Sequence, residues 1–567
     1  MDDGLPWQVA VRVFGSVGAG WQNCPVTSAV HTLSPRALPH TRPEPRTDAL
    51  SRAVWLPTAV CVVLCLAYVF APLMGNDLSA QIARADFARD HPFSLIDFRW
   101  FGGTLPFGYS LWTPYIMAAI GAKLTGALAT VGSVAIFCRL LVVANAPHAL
   151  LGGMVATLSL SADLIEGRTT FAVGVVFGLA ALLALTRRDG AGRPLAVLFV
   201  LFAAGASPMV ALFLCLCAVA LILTNAVRDG LLLGISAALP MVATTVLFPD
   251  PGRQIFSRES AIQGVAMSLL VAVCVTKRRI RVGALLSALL VCASFAVSSP
   301  VGSNSLRLPL LFGLPLLLAY LRMDGQMREW RVPFWAYATV VGVLAYFVQP
   351  FILAGTLGGT GRPATYVSYY TPLVQAIQER GPITGRVEVP EITGHWDAAF
   401  LAERLPLARG WLRQLDTKLN GDVFYSEPPT LDGYRAFLDR SAVQYVAISD
   451  SRGTFTGGKE KRLIQTGLPY LRPVWANEHW TLYEVVDPTP IVDMPGALIS
   501  AQSDQIVFDV QQAGNVTLRL RPLRFLSLSG PSAGCLQQSG SEAVVLVGAV
   551  PGIYTLDSSL SGRSRWC

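Results

Sequence analysis

The stretch that decides the class of this protein is Val54-Trp-Leu-Pro-Thr-Ala-Val-Cys-Val-Val-Leu-Cys-Leu-Ala-Tyr-Val-Phe-Ala-Pro-Leu-Met74, followed at once by Gly75-Asn76-Asp77. The run carries no charge and is long enough to cross the hydrocarbon core of a bilayer, about 30 Å thick. Asp77 is the first carboxylate after it. The polar segment behind it holds Asp86, His91, Asp97, Arg99 and the run Trp100-Phe-Gly-Gly-Thr-Leu-Pro-Phe-Gly-Tyr109. A carboxylate in such a place has two readings: a catalytic base at the lipid–water boundary, or a helix end meeting water. The stretch alone leaves both open.

Composition agrees with the membrane reading. Of 567 residues, 53% are hydrophobic and only 14% charged, against about 25% charged in soluble domains. The net charge of +8 does not signal nucleic acid. The basic residues sit in short clusters between apolar runs, as the positive-inside rule requires. Seven of the ten cysteines lie in apolar runs and read as small buried side chains. Cys535 and Cys567 stand alone in a polar C-terminal region, where pairing would imply an oxidising compartment. No Cys or His spacing suggests zinc or redox chemistry.

In chain order, residues 1–50 read as a disordered cytoplasmic tail. Residues 51–356 read as a transmembrane domain, with apolar runs near 54–74, 109–122, 126–145, 148–162, 169–186, 194–206, 208–225, 231–248, 260–276, 282–298, 308–321 and 334–355. The basic clusters at Arg187-Arg188 with Arg193, at Arg228, at Lys277 to Arg281 and at Arg322 to Arg331 belong on one side. They agree only if one early run does not cross. That run is 109–122, read as an interfacial or re-entrant helix. About 11 spans remain, with a cytoplasmic N-terminus and an outer loop at 75–125. Residues 357–487 read as an extracytoplasmic α+β domain, with helix-like stretches at Phe400 to Lys418 and Leu431 to Asp439. Residues 488–567 alternate in short runs spaced by Gly, Ser and Pro, as in a β-sandwich that Cys535 and Cys567 would staple. No internal repeat is visible.

The outer loops concentrate polar groups: Glu166-Gly-Arg168, the loop with Arg253 and Arg258, and the loop with Asn304 and Arg307. Arginine suits phosphate because its planar fork donates two hydrogen bonds to phosphate oxygens. Each arginine alone also reads as an interfacial anchor. Several on the outer side run against the positive-inside bias, which favours a lipid-linked phosphate site. The segment with His395, Trp396, Arg409 and Trp411 suits carbohydrate contact, or an amphipathic helix packed on the membrane domain. No nucleophile elbow, phosphate-cradling Gly loop or His-Glu-x-x-His is present.

The first span ending in an acidic residue, the long first outer loop, its Gly/Pro/aromatic lead-in to the next helix, and the many-span bundle with a C-terminal outer region resemble the GT-C superfamily. These are membrane glycosyltransferases that use polyprenyl-phosphate sugars. Within it the chain is most similar to large actinobacterial multi-span membrane proteins. The shared text is Gly167-Arg168-Thr-Thr-Phe-Ala-Val-Gly174, Gly302-Ser-Asn304-Ser-Leu-Arg307, Ala408-Arg409-Gly-Trp411, Phe424-Tyr425 and Tyr445-Val-Ala-Ile448. The resemblance implies that a first-loop carboxylate is the general base. Asp77 is the first choice, with Asp86 and Asp97 competing. Arg99, Tyr109, Glu166, Arg168, Arg253, Arg258, Asn304, Arg307, His395, Trp396, Arg409 and Trp411 are the expected substrate contacts. No cofactor is named by these residues, and a divalent metal stays open because Asp77 follows Asn76 where family members often pair two acids. The expected partners are the bilayer, a polyprenyl-phosphate-linked sugar and a glycan or glycolipid acceptor, in the plasma membrane. The alternative is a non-catalytic transporter, flippase or scaffold for an envelope glycolipid.

Overall fold

The computed structural model describes residues 47–249, 252–320, 357, 360–426, 429–560 and 565–567. Most of the expected tail and the last expected span, 334–355, lie outside them. Everything from Thr47 onward forms one compact unit.

The helices in chain order are α1 (Thr47–Phe70), α2 (Leu78–Asp90), α3 (Thr113–Ile120), α4 (Ala122–Val143), α5 (Ala149–Ile165), α6 (Thr169–Ala184), α7 (Gly192–Ala206), α8 (Pro208–Leu223), α9 (Val227–Leu247), α10 (Arg258–Cys274), α11 (Arg278–Ala296) and α12 (Leu314–Ala319); all but α2 fall on the apolar runs, and α2 forms inside the polar segment that reads as a loop. Among the described residues, four helical stretches are long and apolar enough to cross a membrane by length and composition: Ser51–Phe70, Ala122–Val143, Val227–Leu247 and Arg278–Ala296. The apolar helices α5 to α8 are shorter. Helix α3 has 8 residues, about 12 Å of rise, and is too short to span. The bundle core includes Cys61, Val134, Cys138, Ala156, Val200 and Leu317. Pro57 interrupts α1, and Thr157 Oγ1 donates to its carbonyl at 3.2 Å.

Helices α1 and α4–α12 run alternately between two ends of the bundle. One end gathers the turns at 75–77, 166–168, 205–208 and 299–307. The other holds Arg193, which pairs with Asp229 at 2.8 Å, and the contact of His148 N–H with the Ala319 carbonyl at 3.0 Å; the cluster expected at Arg322 to Arg331 lies outside the described residues.

Beyond residue 360 the chain is built on sheets. Strands β1 (Arg386–Glu388), β2 (Val443–Ser449), β3 (Leu471–Ala476) and β4 (Trp480–Val485) form one sheet in the order β1-β2-β4-β3, with β1 parallel to β2. Then come β5 (Gly496–Ala501), β6 (Ile506–Val510), β7 (Gly514–Leu518), β8 (Leu526–Ser529), β9 (Cys535–Ser539), β10 (Ala543–Ala549) and β11 (Gly552–Ser558). They form a β5-β6-β11-β8 sheet and a β7-β10-β9 sheet. Phe508, Val516, Leu546 and Tyr554 of the two sheets share one core. Strand β6 alternates buried and half-buried residues, the mark of a sheet with one face inward. Cys535 and Cys567 are disulfide-bonded.

Two sequence expectations change. Residues 400–418 are not one helix: short helices Asp397–Phe400 and Arg413–Leu419 flank turns at Pro406 and Gly410. A side chain at Gly410 would lie 2.3 Å from Trp100 Cγ, so the chain passes flat over that indole. The first loop, for its part, is a seam filler. Leu95, Ile96 and Phe98 join the sandwich core, while Trp100 joins the core of the β1–β4 sheet and donates to the Ala398 carbonyl at 3.1 Å.

Candidate functional site

The site grows from two clasped turns. Helix α1 ends before Pro72, and the chain reverses at Gly75 with φ +99°. A Cβ there would lie 2.5 Å from the Ile165 carbonyl oxygen, and one at Gly167 (φ +83°) would lie 2.4 Å from Leu78 N. Only glycine allows both the left-handed backbone and this approach. The Asp77 N–H donates to the Glu166 carbonyl at 2.9 Å, and Asn76 Nδ2 donates to Glu166 Oε2 at 3.0 Å. The α1–α2 turn is thereby fixed to the α5–α6 turn. Gly167→Ala is expected to lower the melting temperature of the full chain in detergent, by about 1–3 kcal/mol of stability. An unchanged melting curve would show that the clasp has slack.

Asp77 points between two guanidinium groups. Arg168 Nε lies 3.2 Å from Asp77 Oδ2 and its Nη1 lies 2.8 Å from Asp163 Oδ1. Arg307 Nη2 stands 3.9 Å from Asp77 Oδ2, with its guanidinium over the Phe171 ring at 4.8 Å. The side chains of Asp77 and Arg307 keep 17% and 14% exposure, so the group is not fully sealed from solvent. Burial and the like charge of Arg168 pull the Arg307 pKa down. Burial opposes the charge on Arg168 too, but Asp163 and Asp77 outweigh it and hold that pKa up.

The sheet region closes the other side. Ser79 Oγ donates to the Gly394 carbonyl at 2.7 Å, and Trp411 Nε1 donates to the Asn76 carbonyl at 2.9 Å. Loops 394–396 and 409–413 therefore bracket the Asp77 turn. Arg253 N–H meets the Gln414 carbonyl at 3.2 Å, and Gln254 Nε2 reaches Ser303 Oγ at 3.2 Å, which ties in the 252–257 and 299–307 loops. Arg84 lies over the Tyr109 ring at 3.7 Å and faces Trp411 at 5.5 Å. It borders a pocket lined by Trp100, Tyr109, Phe248, Leu412 and Arg521.

Of the residues singled out in the sequence, Asp77, Glu166, Arg168, Arg307, His395 and Trp411 come together here. Asp86 lies on α2, paired with Arg89 at 2.7 Å. Asp97 and Arg99 are buried against each other at 2.8 Å, and Arg99 also donates to the Ala83 carbonyl. Arg253 and Arg258 are exposed. Asn304 Nδ2 turns back to the Pro300 carbonyl at 3.4 Å. Trp396 is buried and stacked on Phe400 at 5.7 Å. Arg409 is enclosed by Glu388, Asp416 and Glu460. Sequence reading missed Asp163, which lies in the last turn of α5 within what read as a loop. Its signal was a lone acid in an apolar run shortly before Arg168.

One buried acid nearby carries a pH signature. Asp397 Oδ1 has no hydrogen-bond partner among the described residues, and burial pushes its pKa up to about 7. The folded chain keeps a proton that the unfolded chain releases near pH 4. That contribution to stability is full below about pH 4 and is lost as pH rises through about 7. Asp397→Asn is therefore expected to raise the melting temperature at pH 8 more than at pH 5. Equal shifts at the two pH values would disprove the assignment.

A divalent cation does not suit the Asp77 position. Two guanidiniums face its Oδ2, and among the described residues no group of three or more His, Cys, Asp or Glu gathers there to supply the further ligands a metal needs.

These features define a helical bundle with four stretches apolar enough to cross a membrane among the described residues, a cluster of Asp77, Asp163, Glu166, Arg168 and Arg307 at one end, and a sheet-built region packed against it. Among solved structures the chain is similar to the cryo-EM structure of arabinofuranosyltransferase AftD from mycobacteria, at 12% identity and a TM-score of 0.42. The match covers 90% of this chain and 58% of the AftD chain. A structure of an AftD mutant matches at 11% identity and a TM-score of 0.43, over 90% and 60% of the two chains. This chain thus spans less than two thirds of AftD. No family model matches the sequence, and no curated protein does.

Proposed function

We propose that the protein is a membrane glycosyltransferase that moves a sugar from a polyprenyl-phosphate donor to an envelope glycan or glycolipid, with Asp77 as general base. The observation that carries this reading is the partly exposed carboxylate of Asp77 set between Arg168 and Arg307. Asp77 takes the proton of an acceptor hydroxyl as that oxygen bonds to the anomeric carbon. The bond from the anomeric carbon to the phosphate oxygen breaks, and its electron pair leaves with the phosphate. Arg307 and Arg168 stabilise the charge that develops there.

The same reading sets the Asp77 group on the outer face of the plasma membrane, because Arg187, Arg188, Arg193 and Arg228 flank the turns at the other end of these helices and positive residues stay inside. Counting α1, α4 to α12 and the run 334–355 as crossings makes eleven spans, with 357–487 and 488–567 as outer domains. The test is sugar transfer by the purified chain from a panel of polyprenyl-phosphate sugars. Transfer from none of them would overturn the proposal in favour of transport or scaffolding.

A further inference from the structure

A cavity lies where three parts of the chain meet, apart from the Asp77 group. Helix α2 lends it Arg84, the first loop Tyr109, the end of α9 Phe248, the 409–413 loop Leu412 and the sandwich region Arg521. Its volume is about 40 Å³, by a measure in which one water needs about 10–15 Å³. That is room for about three or four waters, which suits one compact polar group and is too small to enclose a sugar ring. Arg84 is 6% exposed, and its guanidinium sits over the Tyr109 ring at 3.7 Å. Arg521 Nη1 donates to the Gly103 carbonyl at 2.8 Å, and its backbone N–H meets the Gly102 carbonyl at 3.1 Å. The first loop therefore positions both arginines. Asp97 also lines the cavity, but its carboxylate is already held by Arg99 at 2.8 Å. Arg84 lies two turns after Asp77 along α2, roughly 10 Å, and none of Asp163, Glu166, Arg168 and Arg307 lines the cavity.

We propose that this cavity binds a phosphate group, held by Arg84 and Arg521, at a site separate from the Asp77 group. The guanidinium fork matches the spacing of phosphate oxygens, and two forks on opposite walls give a tetrahedral oxyanion donors from two sides. The size agrees, since a phosphate is a compact group of the kind the cavity admits. Its place serves two sources of that chemistry. Phe248 caps α9, which is long and apolar enough to cross a membrane, so the cavity lies at the depth of lipid headgroups and a lipid phosphate reaches it from the bilayer. A soluble phosphate reaches it from the aqueous side. Arg84 and Arg521 come from opposite ends of the chain, and no local pattern singles them out. The inference does not need the glycosyltransferase reading.

The experiment titrates inorganic phosphate, and separately phosphatidylglycerol, into the full chain in dodecyl maltoside, a detergent without phosphate. Calorimetry reads binding and a melting curve reads folding. Arg521→Gln, at a half-buried position, is expected to weaken phosphate binding by about tenfold or more, the worth of a hydrogen bond between charged groups, with melting unchanged. Arg84→Gln should weaken it as much. Leu412→Phe keeps both arginines, adds bulk to the wall and should also remove binding, so the test stands even where Arg84→Gln fails to fold. Arg168→Gln should retain the binding. Phosphate displaced by phosphatidylglycerol would identify a lipid headgroup as the ligand, and phosphate that the lipid cannot displace would identify a soluble one; either sustains the site. Neither probe bound by wild type, wild-type affinity in Arg521→Gln and Leu412→Phe, or binding that falls only in step with melting would each overturn the proposal. Binding lost in Arg168→Gln alone would overturn it too, by moving the phosphate to the Asp77 group. Sugar transfer is not read, so failure of the glycosyltransferase proposal leaves this result standing.

Discussion

Asp77→Asn is expected to reduce sugar transfer by roughly 10²–10⁴-fold, the range that a positioned general base supplies, while the melting temperature hardly moves. The substitution keeps the shape of the side chain, and the amide oxygen still accepts from Arg168. What it removes is the proton acceptor. The stability lost with the two ion contacts is small, because Asp77 pairs with arginines at a partly exposed position and such pairs contribute about 0–1 kcal/mol. The controls follow from where the other first-loop acids lie. Asp86→Asn breaks an exposed pair with Arg89 and should leave transfer close to wild type. Asp97→Asn strips the partner from the buried Arg99 and should damage folding first. Full transfer by Asp77→Asn would remove Asp77 as base and return the role to another carboxylate.

Arg409→Met should produce the largest loss of stability, about 3–5 kcal/mol, the cost of removing one partner from a buried ion group. Arg409 donates from Nε to Glu388 Oε1 at 2.8 Å and from Nη2 to both Glu388 and Glu460. Its Nη1 lies 3.6 Å from Asp416 Oδ2, and the guanidinium sits over Phe424 at 4.1 Å. All three acids are buried. One guanidinium cannot offset three buried carboxylates, so burial pushes the pKa values of Glu388, Asp416 and Glu460 up. Acids whose folded pKa is raised keep protons that the unfolded chain has released. Stability therefore falls as pH rises above the ordinary carboxylate range. Without Arg409 those values climb further, so the destabilisation should be larger at pH 8 than at pH 5.5. Loss of transfer with an unchanged melting curve would instead assign Arg409 to substrate, as its place beside Trp411 in the sequence first suggested.

Arg409 and Asp77 mark the boundary of what could be read from the chain alone. Helical runs, the non-crossing segment at 109–122 and the strands from 444 to 556 were legible because hydrophobic period and length are local properties. The two-ended distribution of charge was legible too, since each crossing reverses the side on which the next loop lies. From this, Asp77, Arg168 and Arg307 share an end before any coordinates are known. Local sequence carries no information on which charges at that end find each other. Arg99 and Arg307 look alike as arginines in polar loops, yet Asp97, two residues away, closes Arg99 in a buried pair, while Arg307 meets Asp77 from across the chain and keeps 14% exposure. Arg409 and Trp411 are neighbours in sequence, but one turns into the core and the other reaches the Asn76 carbonyl.

The sequence by itself determined that this is a polytopic helical protein with a sheet-built C-terminal region, because hydropathy and its period leave no other way to satisfy the backbone in lipid and in water. Tertiary structure alone decided that the first loop fills the seam of that region, that Gly75 and Gly167 clasp two turns, and that Asp77 faces two arginines with His395 nearby. Those are contacts between segments tens to hundreds of residues apart. They follow from close packing of surfaces, which no local pattern encodes.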